Sequence, residues 1–218
     1  MPAMSRRILI ITQNVGSSAR LLEFFSSWIV EFARTHEHVT VLTLEASDHT
    51  FPSNVTVISL GKERGVSRPM RWALFVRELI RIVPRVDAVF AHMSPVFAIA
   101  SWPWCVLWGK RLVLWYLHRS VTWRLRLAYA MCDVVVTADA SSLRIRGPKV
   151  VAVGHGIDTS RGIEGAHQAR PHTPLRLVCV GRLSPIKRVH LLLGALAVLK
   201  GQGVSVEARI VGSAVMSS

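Results

Sequence analysis

The feature that most constrains the fold is a short apolar run near the start, Arg7 to Thr12 (RILIIT), which is continuous rather than alternating. A β-branched run of this length marks a strand buried on both faces, as in a parallel sheet covered by helices. A turn at Gln13 to Ser18 follows, and then Leu21, Leu22, Phe25, Trp28, Ile29 and Phe32 recur at helical spacing. The opening unit therefore reads strand, glycine-containing turn, helix.

The same alternation continues. Strands are expected over Val39–Leu44, Asn54–Leu60, Ala88–Ala91, Arg111–Leu117, Val134–Thr137 and Val150–Val153, and helices over Trp72–Val83, Val96–Trp108 and Trp123–Met131. This order predicts an α/β fold with one doubly wound parallel sheet, complete within residues 1–158. Thr159 to Pro174 is polar, rich in Gly and Arg, and reads as a linker over residues 159–174. Beyond it come a buried-type strand, Leu175–Val180 (LRLVCV), a turn at Gly181–Ile186, an amphipathic helix, Lys187–Leu199, and a strand, Val206–Val211. Residues 175–218 are thus the first β-α-β unit of a second domain. Only 44 residues follow Pro174, whereas an open α/β domain runs to roughly 100–150, so this domain is expected to be incomplete.

Composition narrows the partners. Lys and Arg number 27 against 13 Asp and Glu, a formal charge of +14, which favours anions: nucleotide diphosphates, phospholipid surfaces or nucleic acid. A hydrophobic content of 50% excludes a disordered chain. Cys105, Cys132 and Cys179 are odd in number, far apart and in apolar surroundings, which suits a reducing cytosol better than a disulfide framework or zinc cluster. The first residues enter a strand pattern without the apolar stretch of a signal peptide. The longest uncharged stretch, His92 to Gly109, is interrupted by Pro95 and Pro103 and falls short of the about 20 residues a spanning helix needs, so it reads as a buried or interfacial helix. G-x-G-x-x-G and G-x-x-x-x-G-K-[ST] are both missing, which removes the dinucleotide oxidoreductase and P-loop readings. There is also no Asp-x-Asp triplet, and His36 with His38 is too isolated for a metal site, so metal-free chemistry is expected.

The sharpest local signal is VGRLSPIKRVHLLLGAL, Val180 to Leu196, where Arg182 and Lys187 flank the turn between a strand and a helix. In an open α/β sheet that turn lies at the carboxyl end of the strand, where ligands bind, and the helix start adds oriented N–H groups. Arg supplies a bidentate fork and Lys a point charge, together suited to a diphosphate. On spacing alone, two solvated cations beside a turn explain the pattern equally well.

The stretch resembles the signature that opens the nucleotide-sugar domain of family 4 retaining glycosyltransferases of the GT-B fold: apolar strand, Gly-Arg, short loop, Lys, apolar helix. Gly181, Arg182 and Lys187 occupy those positions, and the resemblance implies that the last two bind the donor's diphosphate. Upstream, KVVAVGHGIDTSR (Lys149 to Arg161) is similar to the segment that closes the family's first domain, with Gly156, Ile157 and Asp158 matching its turn and His155 standing where many members have Asn. Gly16 matches a glycine of the first strand–helix turn that lets backbone approach the donor phosphates; a lone turn glycine also serves backbone geometry alone. His118, directly after RLVLWYL, takes the family's active-site role toward the sugar at the domain cleft, against the plainer reading of a capping histidine. His92, in FAHMSP, is a candidate for the acceptor pocket, and equally for a buried, hydrogen-bonded histidine.

The resemblance covers nearly the whole chain and implies a hexosyltransferase. It would move a sugar, with retention, from a nucleotide diphosphate-sugar to a hydroxyl acceptor, lipid-linked or polysaccharide, without a cofactor. The family's two donor-contacting glutamates have no counterpart here, so the alternative is a noncatalytic partner subunit or fragment, the other donor half coming from a second subunit. Arg119, Arg124, Arg126, Arg144 and Arg146, with Trp102, Trp104 and Trp108, form a candidate basic face for peripheral docking on the inner, cytoplasmic face of a membrane. A generally basic surface accounts for them equally well. Nucleic-acid binding ranks behind, because the arginines are not interleaved with stacking aromatics.

Overall fold

The computed structural model describes residues 6–16, 23–156, 174–181 and 183–213. The chain divides into two compact units, Met1–Thr159 and Ser160–Ser218.

In the first unit, β1 (Arg7–Val15), β2 (His38–Ala46), β3 (Val55–Ser59), β4 (Ala88–His92), β5 (Arg111–Trp115), β6 (Val134–Thr137) and β7 (Val150–Ala152) form one sheet in the order β3-β2-β1-β4-β5-β6-β7. Every pairing is parallel. Helices α1 (Glu23–Thr35), α2 (Arg68–Ile82), α3 (Pro95–Leu107) and α4 (Trp123–Met131) cover both faces. Crossovers of one hand put a helix on opposite faces when the strand order reverses, and the order reverses at β1. Accordingly Ile8 and Ile10 point to a core with Phe25, Ile29 and Ala33 of α1. Leu9 and Ile11 point to the other core, with Phe75 and Leu79 of α2, Phe97 and Cys105 of α3, and Leu125 and Ala128 of α4. The continuous run RILIIT is the consequence of both faces needing apolar side chains. The fold is α/β, a seven-stranded parallel sheet wound on both faces.

Local signals set the helix starts. Ser94 Oγ accepts from Phe97 N–H at 3.5 Å at the head of α3, and Thr122 Oγ1 from Leu125 N–H at 3.2 Å at the head of α4. α2 starts four residues before its apolar periodicity, at Ser67-Arg68-Pro69, with proline in the first turn. β1 continues past Thr12, because Asn14 and Val15 still pair with Glu45 and Ala46. No helix among the described residues is long and apolar enough to cross a membrane. Trp102, Trp104 and Trp108 pack partly buried against the core rather than facing outward, so the outward residues at the end of α3 are Val106 and Leu107.

In the second unit, β8 (Leu175–Val180) and β9 (Val206–Val211) pair in parallel, joined through α5 (Val189–Gly201). The expectation of a buried strand fails for β8. Val178 and Val180 are 69% and 76% exposed, and α5 buries none of its described residues. One neighbouring strand and one helix cannot cover both faces of a strand, however apolar its sequence. Lys187 closes a short 3-10 turn, Pro185–Lys187, rather than opening the helix. Ile157, Asp158, the linker up to residue 173, and Arg182 lie outside the described residues.

Candidate functional site

A sheet whose order reverses leaves a crevice at the carboxyl ends of the two strands flanking the switch, where their following loops part to opposite faces. Here those strands are β1 and β4, so the crevice is bounded by Gly16, which follows β1, and His92, which ends β4. Gly16 has φ +106° and lies so close to Ser47 that a Cβ would stand 2.6 Å from the Ser47 carbonyl oxygen. A side chain is thus excluded by the turn's own packing.

His92 is buried, and its Nδ1 lies 3.1 Å from Thr12 Oγ1, bridging β4 to β1. Its ring stacks on Phe25, with centroids 3.7 Å apart and planes at 11°. Burial, and secondarily the neighbouring His155 ring, push its pKa down to about 3, so the imidazole is neutral at ordinary pH. Nε2 is buried with no hydrogen-bond partner among the described residues. A neutral ring that accepts from the Thr12 hydroxyl at Nδ1 carries its proton on Nε2 and can donate it to a ligand oxygen.

An aromatic cluster adjoins this dyad. Trp28 of α1 meets Trp115, which ends β5, edge to face at 4.8 Å, and His155 packs near both rings, at 5.2 and 6.1 Å. Trp28 Nε1 donates to the Gly156 carbonyl at 2.9 Å, which ties the segment after β7 to α1. From this cluster an open apolar cavity of about 510 Å³ runs along α1, floored by Phe90, Trp115 and Val136 and edged by Glu31 and His36.

His118 stands one strand further along the same edge, beyond β5, and is exposed. Its Nδ1 accepts the Ser120 backbone N–H at 2.9 Å, so in the neutral ring Nε2 holds the proton and is the outward donor. The fold brings Gly16, Thr12 and His92 together at the switch point; His118 is on the same edge but makes no contact with them. Thr12, Trp28 and Trp115 were missed in the sequence. Thr12 alone left a signal, the only hydroxyl in an otherwise apolar run.

In the second unit Lys187 lies after the carboxyl end of β8, in the turn that precedes α5. Its side chain lies along Gly181, with Cε 4.0 Å from where a Gly181 Cβ would stand. Gly181 N–H donates to the Val211 carbonyl at 2.9 Å, and Leu183 N–H to that of Ser213 at 3.0 Å, which holds the turn beside β9. Arg188, in the left-handed region at φ +50°, redirects the chain into α5. Lys187 is exposed at this strand end, and α5 begins two residues further on.

No protein-family model matches the chain, and no curated protein does. Solved structures do. HepE of Anabaena, solved in complex with UDP, is 18% identical and covers 96% of this chain and 62% of its own, with a TM-score of 0.62. The fold is GT-B. The lipopolysaccharide outer core galactosyltransferase WaaB is 10% identical, covering 94% of this chain and 68% of its own at a TM-score of 0.56. The UDP-GlcNAc 2-epimerase of Methanocaldococcus jannaschii is 9% identical, covering 94% and 66% at 0.52. The neighbours of this GT-B chain are thus glycosyltransferases and UDP-GlcNAc 2-epimerases, and the chain spans 62% of the length of HepE.

Proposed function

We propose that this chain belongs to a family 4, retaining glycosyltransferase that moves a hexose from a nucleotide diphosphate-sugar to a hydroxyl acceptor at the cytoplasmic side of a membrane. The observation that carries the reading is the turn after β8, where Lys187 stands over Gly181 immediately before α5. In this reading Arg182 and Lys187 hold the diphosphate and neutralise the charge that develops as it leaves. The chain's own cations supply that charge, and no metal or other cofactor takes part. Gly16 gives the backbone its tight turn at the switch point, where the donor phosphates approach. His118, through Nε2–H, hydrogen-bonds a sugar hydroxyl and orients the sugar. His92, neutral and buried, offers Nε2–H at the acceptor pocket. Because HepE was solved with UDP, uridine diphosphate is the first donor nucleotide to test.

The test is thermal stabilisation of the chain by a panel of nucleotide diphosphates and UDP-sugars, with an Arg182→Ala, Lys187→Ala double variant alongside. A ligand bound only by the folded state adds about 2.7 kcal/mol of stability at a hundredfold excess over Kd. Stabilisation by one base that the double variant loses supports the donor site; stabilisation that the variant keeps rejects these residues. The epimerase neighbours share the fold, so conversion of a UDP-sugar without any acceptor would favour their chemistry over transfer.

A further inference from the structure

A second cavity, of about 190 Å³, opens at the sheet edge that carries Gly16 and His92, but on the opposite face, between the first turns of α2 and α3. Leu44, Leu60, Phe75 and Phe97 form its floor and belong to the core on the α2–α4 side, whereas His92 stacks on Phe25 of the other core. Leu44 lies near the carboxyl end of β2, Leu60 directly follows β3, and Phe97 is in the first turn after β4. The cavity is therefore at the edge where a parallel sheet takes its ligands. Arg68, Arg71 and Trp72, from the first turns of α2, stand at its mouth. Trp72 meets Phe75 edge to face at 5.4 Å, and Phe75 meets Phe97 at 5.4 Å. Three rings thus make one apolar wall, and Trp72 remains 43% exposed.

The cations at the mouth lack a counter-charge. Arg68 and Arg71 are three residues apart, neighbours on one side of the helix, and neither guanidinium has a hydrogen-bond or ion-pair partner among the described residues. Arg71 is half-buried. The carboxylates on β2, on α2 and in the turn between β3 and α2 are committed elsewhere: Glu45 to Lys62 at 2.9 Å, Glu78 to Arg77 at 2.8 Å and Arg81 at 2.6 Å, and Glu63 to the Ser59 hydroxyl at 2.8 Å. α3 carries no charged residue. Two like charges held together, one of them partly withdrawn from water, repel each other and lose hydration. An anion seated between them offsets both costs. A phosphate monoester, with about −1.5 to −2 charges at pH 7 and three acceptor oxygens, matches two guanidiniums better than a carboxylate does. Pockets that enclose a drug-sized ligand run to about 300–1,000 Å³, so this smaller cavity takes one ring with its charged substituent.

We propose that this cavity binds a phosphate monoester carried on a ring, as in a phosphorylated monosaccharide unit. Arg68 and Arg71 take the phosphate oxygens, and the ring packs on Trp72 above Phe75 and Phe97. Binding follows from the cavity alone; the ligand's role rests on the transferase reading, in which it is the acceptor, selected for a phosphate on the sugar that is to be glycosylated.

The test is titration of the chain with phenyl phosphate, glucose 6-phosphate, glucose and inorganic phosphate, followed by calorimetry and by the Trp72 indole N–H signal in NMR. Both esters should shift that signal saturably, inorganic phosphate should bind about fivefold more weakly or worse, and glucose should leave the signal unmoved. Affinity for phenyl phosphate should fall as the pH drops through about 6, where the phosphate gains its second proton. Arg68→Ala with Arg71→Ala should cost about tenfold or more in affinity, Trp72→Ala about fivefold, and Arg144→Ala with Arg146→Ala, away from the cavity, less than about twofold. Equal losses in the two arginine pairs, inorganic phosphate binding as tightly as phenyl phosphate, or saturation of the wild-type chain without a shift at Trp72 would overturn the proposal. The role is read separately, from sugar transfer. Binding as described with no transfer from any nucleotide-sugar keeps the site and rejects the transferase reading, whereas transfer to glucose as fast as to glucose 6-phosphate rejects the acceptor role.

Discussion

β1 and β8 are near twins in sequence, RILIIT against LRLVCV, yet Leu9 and Ile10 are fully buried while Val178 and Val180 are largely exposed. The difference lies in the neighbours. β1 runs between β2 and β4 with α1 on one face and the α2–α4 layer on the other, whereas among the described residues β8 has only β9 and α5 beside it. An apolar run specifies a strand that needs cover, and topology decides whether the cover is present. The first unit is therefore held by its own core. The second carries its turn after β8 on a small β-α-β unit that buries none of the described residues of α5.

The largest expected effect breaks the molecule along this contrast. Residues 1–156 produced alone should unfold cooperatively with a stability in the usual range of about 5–15 kcal/mol, while residues 174–218 alone should give the circular dichroism of a mostly unfolded peptide. A cooperative transition in the second piece would show that β8 and α5 need no further cover. Next in size, Leu9→Ala should cost about 2–5 kcal/mol in urea unfolding, against less than about 0.5 kcal/mol for Val180→Ala. Equal costs would erase the distinction between the two strands.

The third effect is a pH dependence from His92. Its folded pKa, about 3, is depressed below the unfolded value of 6.5. The neutral ring's contribution is fully present above pH 6.5 and is lost as the pH falls toward 3, because only the unfolded chain takes up the proton. Stability should drop by about 1.4 kcal/mol per pH unit through that window, and His92→Gln should remove this slope. A variant with the wild-type slope would place the titration elsewhere. Smallest, Gly16→Ala should cost about 1–3 kcal/mol through its positive φ and the approach of Ser47, seen as a lowered Tm. A neutral outcome would mean that the turn relaxes.

Much of this contrast was legible in the sequence, for reasons that also set its limits. Strand and helix order followed from periodicity alone, and Val134–Thr137, Trp123–Met131 and Val206–Val211 lie where the pattern put them. β1 runs three residues further than its apolar run because pairing with β2 uses backbone groups that hydropathy does not report. His92 and His118 were visible at strand ends, but the partners that define His92 were not. Thr12 lies 80 positions away and the Phe25 ring belongs to another element, so only the strand register joins them. The exposed stripe of α2 was hidden for a different reason. Trp72, Val76 and Ile80 read as ordinary helical apolar residues until the sheet shows which side of the helix is already occupied, and Met70 lay before the expected helix start.

The central claim is that the turn after β8 holds the donor diphosphate. Amide NMR of the chain titrated with UDP tests it most directly. The account predicts shifts concentrated at Gly181, Leu183, Lys187 and the first residues of α5, saturable, and abolished by Lys187→Ala. Shifts spread over the basic surface of the first unit and insensitive to Lys187→Ala, or no shifts at saturating UDP, would contradict it.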